Sequence, residues 1–199
     1  PRMSPAVDGV ILAAGLSSRM ERPKPLLTVG NMTFLERAAT TLRSAGCRRV
    51  YAVVNANDDG TAESARGLGL DVVVNEYPES EPIDSLRLVL EKLPQDTAAV
   101  VVLPVDLPLI AEDTAAALVQ SFRDEPGPLI LPFHNGVAGH PVLVGRELFN
   151  DILTRPFDEG LRSLIMENAR SLREVKVVDP GILIDIDTPD DYWRFIETK

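Results

Sequence analysis

Four short and nearly continuous apolar runs, residues 7–13, 50–54, 72–74 and 98–103, recur along the first half of the chain, each followed by a helix-patterned stretch. They are rich in β-branched residues and lack the alternation of a half-solvated strand, the mark of strands buried on both faces as in a parallel sheet covered by helices. Helices are expected over residues 33–45, 61–68, 85–93 and 113–122. This β-α-β-α rhythm confines the fold to the α/β class, a Rossmann-like, mostly parallel sheet with helices on both faces. Ligands of such sheets sit at the carboxyl ends of the strands. After Pro126 the rhythm loosens. Strands are expected at 128–132, 139–144 and 175–178 and helices at 146–153 and 160–168, giving a mixed sheet with an antiparallel element.

The carboxyl end of the first run is chemically distinctive. Leu12, Ala13, Ala14 and Gly15 lead into a loop carrying Ser17, Arg19, Arg22 and Lys24. Small residues let a base or phosphate approach the backbone, and the cations suit a polyphosphate. The segment matches neither G-x-G-x-x-G nor the P-loop, and Arg19 occupies the last glycine position of a G-x-S-x-G elbow. Charge follows the same division. Residues 1–49 hold eight Lys/Arg against three Asp/Glu (net +5), the rest twelve against twenty-seven (net −15). An acidic chain with one basic segment suits a small anion such as a nucleoside triphosphate, and is a poor partner for nucleic acid or a membrane surface. The 199 residues fit one domain, with a nucleotide-binding half over about 1–125, an acceptor-binding half over about 126–199 and a hinge at Asp124 to Pro128.

No run approaches the ~18 apolar residues of a membrane span. The N-terminal segment lacks a secretory pattern, and a single Cys47 forms no internal disulfide, so a cytoplasmic setting is expected. Cys47 reads as an inert buried thiol. Two histidines and one cysteine do not supply a usual zinc site. Any metal should be a hard cation on carboxylates, with magnesium the candidate.

Leu-Ala-Ala-Gly-x-Ser-x-Arg-Met from Leu12, followed by Pro-Lys-x-Leu-Leu from Pro23, resembles the nucleotidyltransferases that attach a nucleotide to the pterin of the molybdenum cofactor, the MobA-like NTP transferases. Further matches, in order, are Val53-Val54-Asn55-Ala56-Asn57, Leu103-Pro104-Val105-Asp106-Leu107-Pro108, Gly139-His140-Pro141-Val142-Leu143, Asp179-Pro180-Gly181 and Asp185-Ile186-Asp187-Thr188-Pro189-Asp190. The cytidylyl branch fits best. The resemblance implies a nucleotide-diphospho-sugar transferase-like fold and transfer of a nucleotide, CTP in preference to GTP, onto a phosphorylated acceptor such as molybdopterin with release of pyrophosphate. A molybdoenzyme is an implied further partner. It also implies that Leu12, Ala13, Ala14, Gly15 and Ser17 hold the base side, that Arg19 and Lys24 grip the triphosphate and serve catalysis, and that Asn55 and Asn75 lie near the nucleotide.

Transfer at an α-phosphorus needs positioning and charge neutralisation more than a protein nucleophile. Asp106, in the loop after residues 98–103, is the first metal ligand on this reading and a turn or helix-capping carboxylate on the alternative. Asp187, alternating with Asp185 in an expected strand, is the second ligand, or else the cap of the last helix. His140, between Gly139 and Pro141, faces the acceptor, or is a core histidine bonded to backbone. Two positions depart from the family. Glu21 stands where glycine follows Arg-Met, and Glu81-Pro82-Ile83-Asp84-Ser85-Leu86 replaces a Gly- and Ser-rich turn. Asp84 and Ser85 are the residues of that turn expected at the nucleotide, with Asp84 also fitting a helix cap. These departures leave two alternatives: a non-catalytic chaperone that carries a finished cofactor, and a related transferase with a sugar-phosphate or other small phosphate acceptor.

Overall fold

The structure, a computed structural model, describes residues 4–20, 22–77 and 79–197. Glu21, whose place in the cationic loop departs from the family, lies outside the described residues. The chain runs β1 (Ala6–Ala13), a small hairpin of β2 (Thr28–Val29) and β3 (Met32–Thr33), α1 (Phe34–Ser44), β4 (Val50–Asn55), α2 (Asp59–Gly67), β5 (Asp71–Asn75), α3 (Pro82–Leu90), β6 (Thr97–Pro104) and α4 (Glu112–Asp124). It continues through β7 (Leu129–His134), β8 (Val137–Ala138), β9 (Val142–Gly145), α5 (Phe149–Thr154), α6 (Leu161–Glu167), β10 (Leu172–Lys176) and α7 (Pro189–Tyr192).

The main sheet has the order β10-β7-β9-β6-β1-β4-β5, with β8 paired to β7. β1 pairs in parallel with both β4 and β6 and β4 with β5, while β9 runs antiparallel between β6 and β7. This is a mixed, mostly parallel sheet with helices on both faces, the nucleotide-diphospho-sugar transferase fold. Strand alternation divides the apolar side chains between the two faces. Val7, Ile11 and Ala13 join Phe34, Leu35 and Leu42 of α1 and Leu118 of α4. Val10 and Ala14 join Ile83 and Leu86 of α3 and Ile152 of α5. Gly9 lies under α1, where a Cβ would come within 2.9 Å of Leu42 Cδ1. No helix of the described residues is long and apolar enough to cross a membrane.

Several boundaries differ from the sequence reading, each for a local reason. α3 starts at Pro82, three residues early, because proline is well placed in a first helical turn, where its missing N–H is no loss. The β2–β3 hairpin, unexpected from its short mixed sequence, closes on Gly30 at φ +59°. β9 occupies only the second half of 139–144, since Gly139 and His140 bond instead to Pro132 and Ile182 carbonyls. The last main strand is Leu172–Lys176 rather than 175–178, set by pairing with Leu129 to Phe133 of β7. Val178 is 98% exposed. Asp185 to Asp187 is not a strand; the segment is held to the sheet edge by one backbone bond, Ile186 N–H to the Asp106 carbonyl at 2.8 Å.

At the opposite sheet edge Asp8 of β1 is fully buried. Its carboxylate accepts from Thr97 Oγ1 (2.6 Å), Arg48 Nη2 (2.9 Å) and Nε (3.2 Å), and the Arg49 N–H (3.1 Å). Asp8→Ala would leave the Arg49 amide and Thr97 hydroxyl unpaired, although Arg48 can turn to water. A loss of roughly 3 kcal/mol in urea unfolding is expected.

Candidate nucleotide and metal site

Parallel pairing brings the carboxyl ends of β1 and β6 to one edge, where the Val105 N–H bonds the Leu12 carbonyl at 3.0 Å. That bond lays the loop after β6 beside Leu12 to Gly15. The resulting cavity, about 830 Å³, is lined by Leu12 to Arg19 and Lys24, by Asn75, Ser80, Glu81 and Ser85, by Asp106, by His140, by Arg162 of α6, and by Asp185 and Asp187. A Cβ on Gly15 would meet no protein atom within 4 Å, so a side chain there would project into open space. The left-handed turn of this loop is at Ser17 (φ 49°) rather than at Gly15. Ser17 Oγ accepts the Lys24 N–H at 3.0 Å, folding the loop back on itself and aiming Lys24 into the cavity.

Lys24 Nζ donates to Asp187 Oδ1 in a short contact and lies 3.7 Å from Asp106 Oδ2. One ammonium thus bridges the two carboxylates expected to hold a metal. Neither carboxylate caps a helix. Thr188 caps α7, and α4 begins at Ala111 without a side-chain cap of its own. Burial, followed by the nearby charges of Asp187 and Asp185, holds the Asp106 carboxyl above its usual range despite Lys24. Two carboxylates sharing one lysine leave negative charge for a further cation to neutralise. No group of three or more His, Cys, Asp or Glu among the described residues forms a ready metal cage. Two aspartates nevertheless fit magnesium, which keeps several waters and shares its shell with phosphate oxygens.

The other expected residues divide. Arg19 lines the cavity, exposed and without an ion pair to any described residue, whereas Arg22 does not line it. Asn75 reaches the wall with its amide committed: Nδ2 donates to Ser80 Oγ (2.9 Å) and Ser85 Oγ (3.0 Å), and Oδ1 accepts the Tyr77 N–H (2.8 Å). Asn55 and Asp84 do not line the cavity. Asn55 Oδ1 accepts the Asn57 N–H at 2.8 Å, closing the turn after β4. Asp84 accepts from the Glu81 N–H (3.0 Å) and Arg87 Nη1 (2.7 Å), the helix-cap alternative. His140 lines the cavity with Nδ1 buried and unpartnered, not bonded to backbone, and burial holds its imidazole below the usual range, in the neutral form. Sequence reasoning missed Leu161, Arg162 and Ile165 of α6, because nothing in that amphipathic pattern distinguishes a cavity wall from a core helix.

The raised Asp106 carboxyl fixes a pH dependence. Between the ordinary carboxylate value and the higher folded one, the folded chain binds the extra proton. Stability therefore falls as pH rises through that window and stays lower above it. Asp106→Asn should melt a few degrees higher than wild type at neutral pH, since about 1 kcal/mol moves Tm by roughly 2–4 °C at this size. The difference should close below about pH 4, as followed by thermal denaturation across pH.

Residues 9–173 match the MobA-like NTP transferase domain. The chain is 29% identical over 191 residues to the molybdenum cofactor cytidylyltransferase of Escherichia coli (strain K12), covering 94% of each. It is 27% identical to a probable molybdenum cofactor guanylyltransferase of Rhodopirellula baltica, over 94% of this chain and 90% of that one. Among solved structures, Rv0371c from Mycobacterium tuberculosis H37Rv aligns with TM-score 0.83 at 27% identity, over 96% of this chain and 98% of that one. Its complex with manganese aligns at TM-score 0.80 and 27% identity, over 98% and 100% of the two chains.

Proposed function

We propose, from the premise that this chain belongs to the MobA-like NTP transferase family and is a nucleotidyltransferase, that it moves CMP from CTP onto a phosphorylated acceptor such as the molybdopterin cofactor, with magnesium, releasing pyrophosphate. The observation that carries this reading is Lys24 suspended between Asp106 and Asp187 beside the open backbone of Gly15. A cation for phosphate and two carboxylates for a metal then meet at one point of the cavity. The cytidylyl assignment is supported by the Escherichia coli relative, which matches over nearly the whole of both chains.

On this reading Leu12 to Gly15 present backbone to the base and sugar, with Ser85 and Ser80 opposite and Asn75 orienting both hydroxyls. Arg19, without a partner among the described residues, is free to meet outer phosphates. Lys24 exchanges a carboxylate for the phosphate oxygens and neutralises charge as it builds on them. Asp106 and Asp187 would hold magnesium, which when bound supplies positive charge to the phosphates. His140, held toward its neutral form by burial, lines the cavity where the acceptor would sit. A cytoplasmic setting and delivery of the product to a molybdoenzyme complete the proposal.

Incubation with magnesium, molybdopterin and each nucleoside triphosphate should release pyrophosphate with CTP above GTP, and Lys24→Ala should lower kcat/KM by about 100- to 1000-fold. A triphosphate at 100 times its dissociation constant should add about 2.7 kcal/mol of stability. Absence of both pyrophosphate and any thermal shift with all four nucleotides would sink the reading.

A further inference from the structure

Asp179 lies eight residues before Asp187 in a motif whose members Asp179, Pro180 and Gly181 do not line the cavity. Its side chain is buried (6% exposed) and makes no ion pair among the described residues. Three donors meet its carboxylate instead: the Gly181 N–H on Oδ1 (3.0 Å), and the Ala111 N–H (2.9 Å) and Thr114 Oγ1 (2.6 Å) on Oδ2. Ala111 and Thr114 belong to the opening of α4, whose own N-cap residue has no side-chain oxygen. Asp179 therefore caps α4 from a distant part of the chain, where the helix N-terminus favours a carboxylate.

The cap joins the two segments that carry the candidate metal ligands. One runs from Pro104 to Ala111 and bears Asp106; the other runs from Asp179 to Asp187. At one end Asp179 fastens them, and at the other the Ile186 N–H bonds the Asp106 carbonyl at 2.8 Å. Between these ties Gly181 packs so closely on the Leu109 carbonyl that a Cβ would lie 2.1 Å from its oxygen. Without Asp179, the Ile186–Asp106 bond would remain as the backbone bond joining the two segments, with Lys24 bridging their carboxylates.

We propose that Asp179 is a positioning residue that sets the separation of Asp106 and Asp187 and thereby the affinity of that pair for a divalent cation. The proposal rests on the metal-binding part of the function proposed above. Removal of groups that orient metal ligands typically costs 10- to 100-fold in metal affinity.

The test is binding of Mn²⁺, measured by electron paramagnetic resonance of the free ion, alone and with saturating CTP, at a temperature where circular dichroism shows each variant folded. Asp179→Asn should weaken Mn²⁺ binding by about tenfold or more. Thr114→Val, which removes one of the three donors, should weaken it by about fivefold. In an Asp187→Asn background Asp179→Asn should add less than about twofold, because its effect passes through the spacing of the pair. A merely structural role would lower Tm and leave Mn²⁺ affinity unchanged in the folded protein. Folded Asp179→Asn binding within about twofold of wild type would overturn the proposal, as would full additivity with Asp187→Asn or no Mn²⁺ binding by wild type in either condition. If Asp179→Asn does not fold, Thr114→Val decides alone, and affinity within about twofold of wild type overturns the proposal. Pyrophosphate release reads the transfer reaction separately: an inactive wild type with Asp179-dependent Mn²⁺ binding would overturn that reaction and support this proposal.

Discussion

The gathering of Asp106 and Asp187 around the single ammonium of Lys24 is the constraint around which this cavity is organised. Carboxylates do not gather at a partly buried edge unless something holds them, and here three loops share the task. The loop after β1 contributes the Lys24 ammonium, the loop after β6 contributes Asp106, and the segment after β10 contributes Asp187. Each loop is anchored by backbone bonds to a neighbour before its side chain reaches the centre, as with Val105 to Leu12 and Ile186 to Asp106. Folding energy from the two apolar layers thus maintains an arrangement that electrostatics alone would disperse. Burial foremost, with the Asp187 and Asp185 charges behind it, shows in the raised Asp106 carboxyl.

The same sheet treats its two edges differently. At the amino ends of the strands Asp8 is saturated by arginine, hydroxyl and amide donors, a closed polar network with nothing to offer a ligand. At the carboxyl ends, Arg19 and the His140 Nδ1 stand without partners among the described residues. Stability and chemistry are separated by the length of a strand.

The parallel half was legible in the sequence because its buried strands are short, β-branched apolar runs and its helices carry a 3.6-residue period. Legibility declined where pairing partners, rather than local composition, set the limits, as in β10, whose span follows β7, and in β9, cut short by contacts of Gly139 and His140. The cavity was legible in part for the same reason. Gly15, Lys24 and Asp106 follow strands and so had to emerge at one edge. Asn55 likewise ends a strand, but its turn folds back on it, and Asp84 is drawn into its helix cap, outcomes decided by local hydrogen bonds. The wall from α6 carried no signal, since a side chain facing a cavity and one facing a core obey the same periodicity.

Asn75 shows how the character of that cavity is governed from its margin. The Tyr77 N–H fixes which way the amide points, so both amide hydrogens go to serine oxygens. Each hydroxyl then keeps its own hydrogen for another acceptor, and the wall formed by Ser80 and Ser85 presents positive polarity toward whatever lies opposite. A carboxylate at position 75 would draw both hydroxyl hydrogens to itself and turn oxygen lone pairs outward. The shape of the wall would survive while its complement changed sign, so one buried amide acts as a polarity selector for a surface it barely forms.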